Sequence, residues 1–150
     1  MTVLQNILCG AGDRKKASEY VKRFFLEGKE QLYPAQLSGG QKQRTAMARM
    51  LAGEPEILML DEPFTALDNY LKMQLERELM KVMEDYGKTV LFVSHDRNEA
   101  YRMTDRIAVM EDGQILDVQP KEELFQNPVF SRQQHFTGTG CKNCLDACHG

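Results

Sequence analysis

The chain has 150 residues, of which 42% are apolar and 27% charged, and its formal net charge is −3. This composition is typical of a globular protein, and it excludes wholesale disorder and fibrous classes. The acidic balance excludes a strongly basic nucleic-acid-binding protein. No apolar run approaches the length of about 18 residues that a membrane-spanning helix needs, and no secretory signal is visible at the N-terminus. We therefore expect a cytoplasmic protein.

The first third of the chain is predicted to be largely helical. Apolar residues recur at helical spacing over residues 14–27, after a candidate N-cap at Asp13. A second helix is predicted to begin after Ser38, which has Gln41 at capping-box spacing, and to extend to about Leu51. This helix carries three cationic residues, Lys42, Arg44 and Arg49. They could contact phosphates, but we expect the commoner outcome, in which they form a solvated or salt-bridged face.

The following residues alternate predicted strands and helices. The unbroken apolar runs Ile57–Leu60 and Thr89–Val93 are typical of strands that are covered on both faces, as in a parallel sheet. The alternation predicts an α/β fold with parallel strands. The remaining predicted elements are helices over Asn69–Tyr86, Arg97–Met103 and Lys121–Phe125, and a hairpin of Arg106–Glu111 and Gln114–Val118 that turns at Asp112-Gly113.

Acidic residues and a histidine follow two of the predicted strands. Asp61 and Glu62 come directly after the first apolar run, and His95 follows the second. Ligand sites in α/β sheets lie at the carboxyl ends of the strands, so these side chains are expected on one rim. Two neighbouring carboxylates suit Mg²⁺. The alternatives are a solvated pair of acids and a histidine that caps the next helix.

Two adjacent glycines open the second predicted helix. The run Ser38-Gly39-Gly40-Gln41 offers amide donors and a hydroxyl at the positive end of the helix dipole, where anions bind readily. A glycine in a helix costs up to about 1 kcal/mol relative to alanine. A ligand that approaches the backbone closely therefore explains both glycines better than a plain capped helix does.

Four segments can be singled out: Leu37–Arg44, Ile57–Pro63, Ala66–Asp68 and Phe92–Asp96. Taken together, they resemble the ATP-binding-cassette (ABC) ATPases. The resemblance covers roughly residues 1–126 and implies a partial P-loop NTPase core with parallel strands plus a helical subdomain. Glu99-Ala100 and Asp105-Arg106-Ile107 are similar to the importer branch of the family. In chain order, the segments match the signature motif (Leu37–Arg44), the Walker B strand (Ile57–Pro63), the D-loop (Ala66–Asp68) and the histidine switch (Phe92–Asp96).

The resemblance implies ATP and Mg²⁺ as ligands and a role for each matching residue. Asp61 would hold Mg²⁺ through water, Glu62 would act as general base, and His95 would contact the γ-phosphate. Asp68 would link two ATPase subunits in a dimer, and transmembrane permease subunits would be further partners on the inner face of the membrane. No nucleic-acid partner is implied. The ATP held by the opposite subunit would be closed in by the signature residues Ser38, Gly39, Gly40 and Gln41.

One motif of the family does not occur in these residues. The phosphate loop Gly-x-x-x-x-Gly-Lys-Ser/Thr is absent, and Met1–Ile7 resembles the segment that follows the glutamine loop of importers. We therefore expect a truncated gene product or a fragment of an importer ATPase, inactive by itself. One alternative is a non-catalytic module that supplies the signature motif in trans to a complete ATPase. Another is a family member that acts on DNA or ribosomes.

Three parts are expected along the chain: a helical subdomain over 1–52, the second half of the ATPase core over 53–126, and a disordered tail over 127–150. Thr139–Asn143 resembles the junction before the regulatory domain of molybdate importers, and Phe64–Asp68 is similar to the same subgroup, which makes molybdate the expected substrate. Importers of polyamines and of other oxyanions are similar alternatives. Four potential ligands at the end of the chain have metal-like spacing, but a disordered tail is favoured over a metal site: Cys141, Cys144, Cys148 and His149.

Overall fold

The computed structural model of the chain describes residues 1–126 and 138–142. None of the helices in this range combines the length and the hydrophobicity that crossing a membrane requires. In chain order the elements are α1 (Val3–Ala11), α2 (Arg14–Arg23), a 3₁₀ turn (Pro34–Gln36), α3 (Gly39–Ala52), β1 (Ile57–Asp61), α4 (Asn69–Tyr86), β2 (Thr89–Ser94), α5 (Arg97–Met103), β3 (Arg106–Glu111), β4 (Gln114–Pro120), α6 (Lys121–Gln126) and β5 (Gly138–Lys142).

The described residues form two compact units, of which the first, the helical unit, comprises Met1–Glu56 and Pro63–Tyr86. Helices α1, α2 and α3 contact one another. Their shared core consists of side chains that are at most 3% exposed: Val3, Ile7, Ala17, Val21, Phe24, Ala48 and Leu51. Helix α1 was not predicted from the sequence. It begins with a capping box in which Gln5 N donates to Thr2 Oγ1 at 3.3 Å and Thr2 N donates to Gln5 Oε1 at 2.8 Å.

The predicted starts of α2 and α3 are confirmed. Asp13 caps α2 by accepting a hydrogen bond from Lys16 N at 2.9 Å, and Ser38 caps α3. The predicted end of α2 is wrong, because the helix stops at Arg23 instead of residue 27. Phe25 adopts a left-handed backbone with φ of 53°, which breaks the helical path although the apolar pattern continues.

The second unit, the sheet unit, comprises Ile57–Glu62 and the described residues from Gly87 onward. Its strands follow the order β1-β2-β5-β3-β4, with β1 and β2 parallel and the other pairs antiparallel. The prediction of parallel strands is therefore confirmed for β1 and β2. The predicted hairpin is also confirmed: β3 pairs with β4, and Asp112 and Gly113 have φ of 50° and 76°, as a tight two-residue turn requires.

The apolar run Ile57–Leu60 is typical of a strand covered on both faces, but in the structure it is covered on one face only. Leu58 and Leu60 are buried, whereas Ile57 and Met59 are 60% and 65% exposed. The strand stands at one end of the strand order, and alternate side chains point to opposite faces of a sheet. A continuous apolar run therefore does not by itself establish that both faces are covered.

A disordered tail was expected over 127–150, and for residues 138–142 this expectation is corrected. These residues form β5, which pairs with β2 on one side and with β3 on the other. Inserting it between them gives both strands a hydrogen-bonded neighbour, and unpaired strand edges are unfavourable. Cys144, Cys148 and His149 of the tail lie outside the described residues.

The expected boundary near residue 53 also differs from the structure. Residues 63–86 group with the N-terminal helices, and the sheet unit receives only 57–62 from this part of the chain. A local contact explains the grouping: a Cβ built on Gly40 would lie 2.9 Å from Leu67 Cδ2 and 3.0 Å from Ala66 O, so the segment before α4 packs directly on α3.

Candidate functional site

Two of the predicted site residues contact each other in the sheet unit. Strands β1 and β2 are parallel and in register, with Asp61 opposite Val93, so both end at the same rim. Glu62 N donates a hydrogen bond to Val93 O at 3.0 Å, and Glu62 Oε1 lies 2.8 Å from His95 Nδ1. The prediction that a carboxylate and the imidazole meet at the strand ends is confirmed for this pair.

The backbone at Glu62 makes this contact possible. Glu62 has a φ of 43°, a left-handed conformation that is uncommon for a residue with a side chain. Such conformations cost of the order of 1–3 kcal/mol and are concentrated at functional sites. This backbone conformation interrupts the alternation of side chains between the two faces of the strand. Glu62 therefore reaches towards β2 and the loop that follows it.

The Glu62–His95 pair is open to solvent. The His95 side chain is 63% exposed and that of Glu62 is 40% exposed. The hydrogen bond from the imidazole to Glu62 and the charge of that carboxylate raise the pKa of His95 above its ordinary value of 6.5; the more distant carboxylates of Glu99 and Asp96 act in the same direction, and slight desolvation opposes them. The pair therefore favours a protonated imidazole at the rim.

Asp61 presents an exposed carboxylate as the last residue of β1. Among the side chains that the structure describes, in residues 1–84 and 87–126, no group of three or more His, Cys, Asp or Glu is arranged to hold a metal ion. One exposed carboxylate does fit Mg²⁺, which is commonly bound by one or two carboxylates together with waters and substrate phosphates.

The signature turn, Ser38–Gln41, lies in the helical unit. Its two polar side chains bond to the backbone of the turn itself: Gln41 N donates to Ser38 Oγ at 3.3 Å, and Ser38 N donates to Gln41 Oε1 at 2.9 Å. This is the predicted capping box, and it is confirmed. Ser38 and Gly39 are exposed at the start of the 14-residue helix α3.

The two glycines of the signature turn have different surroundings. A Cβ on Gly39 would meet no described atom within 4 Å, whereas a Cβ on Gly40 would meet Leu67 and the carbonyl of Ala66. For Gly40, packing within the chain is therefore an explanation that the sequence argument did not consider. Close packing of the chain against itself already requires a residue without a side chain there.

Asp68 follows this packed segment and begins α4. Its carboxylate accepts a hydrogen bond from Leu71 N at 3.0 Å, and its carbonyl accepts one from Lys72 N at 2.9 Å. The side chain is exposed. A capping function for Asp68 is therefore visible in this chain, and the subunit-linking role implied by the resemblance stays a prediction.

Arg44 is the main residue that the sequence analysis misjudged. It is 7% exposed instead of solvated, and its Nη1 donates to Phe24 O at 3.1 Å and to Phe25 O at 2.7 Å. Its Nε also donates to Gly40 O at 3.4 Å. Burial lowers the pKa of Arg44, and the charge of Asp68 opposes this. A signal was present in the sequence, because Arg44 has helical spacing to buried Met47, Ala48 and Leu51.

The comparisons with known proteins agree with this geometry. A family described as "ABC transporter" matches residues 1–65. A sulfate/thiosulfate import ATP-binding protein of Rhizobium meliloti is 41% identical over 158 aligned residues, covering 97% of this chain and 42% of that protein. A glycine betaine transport ATP-binding protein of Bacillus subtilis is 44% identical over 115 residues, covering 77% of this chain and 28% of that protein.

A third relative is a trimethylamine N-oxide transport ATP-binding protein of Pelagibacter ubique, 43% identical over 122 residues, covering 81% of this chain and 36% of that protein. Molybdate is not among the substrates in these three names, so the expectation of a molybdate importer receives no support from them. The chain spans less than half the length of each of these relatives.

Solved structures show the same fold. A dimeric ATP-binding cassette in a post-hydrolysis state, bound to ADP and Pi, superposes with a TM-score of 0.72 and 36% identity, covering 81% of this chain and 57% of that one. A second dimeric cassette of a bacterial ABC transporter gives a TM-score of 0.70 at the same identity and coverage. The P-loop NTPase fold expected from the sequence is confirmed, and the chain is similar to the ATPases of ABC transporters over the residues it shares with them.

Proposed function

We propose that this chain is part of the ATP-binding and ATP-hydrolysing subunit of an ABC importer. The observation that carries the proposal is the contact between Glu62 and His95 at a shared strand end, directly after the exposed carboxylate of Asp61. Acid, base and cation ligand are the groups that phosphoryl transfer to water needs, because the reaction depends mainly on positioning and electrostatic stabilisation.

Each residue of the rim has one proposed task. Glu62 orients the attacking water and accepts its proton, a role that contributes about 10²–10⁴-fold in rate. His95, protonated with the help of neighbouring carboxylates, donates a charged hydrogen bond to the γ-phosphate of ATP. Asp61 would hold Mg²⁺ through water, and the ion would supply positive charge that favours phosphoryl transfer.

We propose that the signature turn acts on ATP held by a second subunit. The exposed residues Ser38 and Gly39 at the start of α3, together with the helix dipole, form an anion-binding end. The dimeric state of the two solved relatives supports a shared site. The ligating residues are Ser38, Gly39, Gly40 and Gln41, with Asp68 at the contact between subunits.

A polypeptide of these 150 residues is proposed to be inactive by itself. It contains no Gly-x-x-x-x-Gly-Lys-Ser/Thr loop, whose amides and lysine hold the phosphates in this class of ATPase. The second candidate function, a module that supplies the signature turn in trans to a complete ATPase, is favoured by the exposed start of α3. Both functions share the signature turn, and they differ in whether Glu62 is needed.

ATP hydrolysis after complementation tests the proposal. The 150-residue chain is co-expressed with the phosphate-loop-bearing segment of the Rhizobium meliloti sulfate importer, and phosphate release is measured. We expect release that Glu62→Gln reduces at least about 100-fold. Glu111→Gln, an exposed carboxylate at the end of β3, is the matched control and keeps the activity. Activity that survives Glu62→Gln would leave the in-trans module as the better assignment.

The transported solute is proposed to be a tetrahedral oxyanion. Two observations support this class: the resemblance of Thr139–Asn143 to molybdate importers, and the sulfate/thiosulfate importer among the relatives. Sulfate and molybdate share charge and shape. Uptake of labelled sulfate, molybdate and glycine betaine by a strain that lacks the gene separates the cases. Loss of glycine betaine uptake with both oxyanions unaffected would refute the oxyanion class.

The proposed partners are a second ATPase subunit and transmembrane permease subunits. The relatives are named as ATP-binding proteins of import or transport systems. We therefore propose a cytoplasmic location, peripheral on the inner face of the membrane. Co-purification of a tagged chain with membrane proteins from the source cells, and its release by detergent, is the corresponding measurement.

A further inference from the structure

We infer that Glu99 is a positioning residue for His95, which it holds in place through the hydroxyl of Ser94. The inference rests on the proposed function, because His95 has a catalytic task only within it. The contacts among Glu99, Ser94 and the His95 turn involve no nucleotide, so they can be measured in the 150-residue chain. All residues concerned belong to the sheet unit.

One buried hydroxyl spans the turn that carries His95. Ser94 is the last residue of β2 and is 3% exposed. Its Oγ donates to Glu99 Oε2 at 2.6 Å and accepts a hydrogen bond from Asp96 N at 3.0 Å. The backbone on both sides of His95 is thereby tied to one point.

Helix α5 fixes the Ser94 hydroxyl and its partner Glu99 to the rest of the sheet unit. Glu99 is 6% exposed in the first turn of this helix. Asp96 begins the helix by accepting hydrogen bonds from Asn98 N at 2.8 Å and Glu99 N at 3.3 Å. The next residue, Ala100, is fully buried in a core cluster with Ile107, Val109 and Leu124. The carboxylate of Glu99 therefore has little freedom to move.

The buried carboxylate of Glu99 is energetically unfavourable if its role is only structural. Removing a charge from water is unfavourable unless hydrogen bonds compensate it, and an apolar side chain would fill the same space at lower cost. A hydrogen bond to a charged acceptor is shorter and about twice as strong as a neutral one, which agrees with the 2.6 Å contact from Ser94. Glu99 thus provides a strong and directional attachment for the turn.

His95 needs such an attachment because its ring is exposed and the side-chain hydrogen bond described for it is the one with Glu62. Its side chain is 63% exposed, and its ring contacts Glu62 at 2.8 Å across the gap between two strands. An exposed ring keeps this contact only if its backbone is fixed. Small displacements at a reacting centre are costly, so a fixed turn favours the geometry in which Glu62 and His95 face the same phosphate.

Nuclear magnetic resonance of the 150-residue chain tests the inference. The measured quantities are the Overhauser contacts between the His95 ring protons and the Glu62 side chain, and the hydrogen-exchange rate of the Asp96 amide. In Glu99→Ala we expect the ring contacts to disappear and the amide to exchange roughly five- to tenfold faster, because its hydroxyl acceptor is no longer anchored. Glu99→Gln should give values between those of the unchanged chain and Glu99→Ala, since its amide oxygen accepts from the same hydroxyl but carries no charge.

Thr104→Val is the matched control. Thr104 is 1% exposed at the end of α5, and its Oγ1 donates to Ala100 O at 2.7 Å. The variant removes a comparable buried hydrogen bond from the same helix and should leave the ring contacts intact. Where Glu99→Ala does not fold, Ser94→Ala decides, with the same expected losses. Ring contacts that persist in the folded variant, or that vanish equally in Thr104→Val, overturn the inference; the ATPase proposal is unaffected by either result.

Discussion

The rim of the sheet unit and the signature turn of the helical unit use their polar residues in opposite ways. At the rim, Glu62 and His95 are exposed and are paired with each other across two strands. In the signature turn, Ser38 and Gln41 already serve the local backbone as a capping box. The rim therefore presents side chains to a ligand, whereas the signature turn presents backbone N–H groups.

This difference separates two kinds of evidence for a site. A left-handed Glu62 costs folding free energy and a solvent-exposed ion pair returns only a little, so both features indicate chemistry. A capping box and Gly40, packed under Leu67, are explained by folding alone. For the signature turn, the functional argument therefore rests on the family and on exposed Gly39.

The largest expected effect concerns the support of the signature turn. Arg44→Met removes the donor to the carbonyls of Phe24 and Phe25. The bond to Phe24 O is buried and the bond to Phe25 O is part-buried, and leaving such carbonyls without partners costs about 1–3 kcal/mol each. We therefore expect a loss of about 2–4 kcal/mol in the free energy of unfolding, measured by urea denaturation. The exposed Arg49, changed to Met, should shift it by less than about 0.5 kcal/mol. Equal losses in the two variants would show that the buried guanidinium is not a structural anchor.

The next effect distinguishes the two glycines. Gly40→Ala introduces a Cβ against Leu67 and a backbone carbonyl, and overpacking of this kind costs about 1–3 kcal/mol. Gly39→Ala meets open space and should stabilise the helix by up to about 1 kcal/mol. Thermal unfolding of both variants gives the comparison. Destabilisation by Gly39→Ala would mean that its backbone, too, is constrained by the fold.

These cases define what the sequence can predict. The meeting of Glu62 with His95 was predictable, because parallel strands in register end at one edge and adjacent strand ends carry the two residues. The burial of Arg44 was missed because its hydrogen-bond acceptors, the carbonyls of Phe24 and Phe25, lie at a left-handed turn. The apolar pattern continues through Phe25 and does not reveal this turn. The contact of Gly40 with Leu67 and the insertion of β5 depend on long-range packing, which short motifs do not encode.

The smallest expected effect concerns the rim and is a shift in the pKa of His95. Since Glu62 raises the pKa of His95, Glu62→Gln should lower that pKa towards 6.5. A raised pKa in the folded state stabilises the fold fully below about pH 6.5 and loses this contribution as the pH rises through the folded value. The variant should therefore show a weaker pH dependence of stability across that window.

Titration of the His95 ring by nuclear magnetic resonance measures the shift directly, with the signal assigned by its disappearance in His95→Asn. Glu111→Gln, which removes an exposed carboxylate from the same unit, is the control and should leave the titration unchanged. A His95 pKa that does not respond to Glu62→Gln would mean that the pair does not persist in solution. The rim would then resemble the signature turn, a strand end whose assignment depends on the family instead of on its own electrostatics.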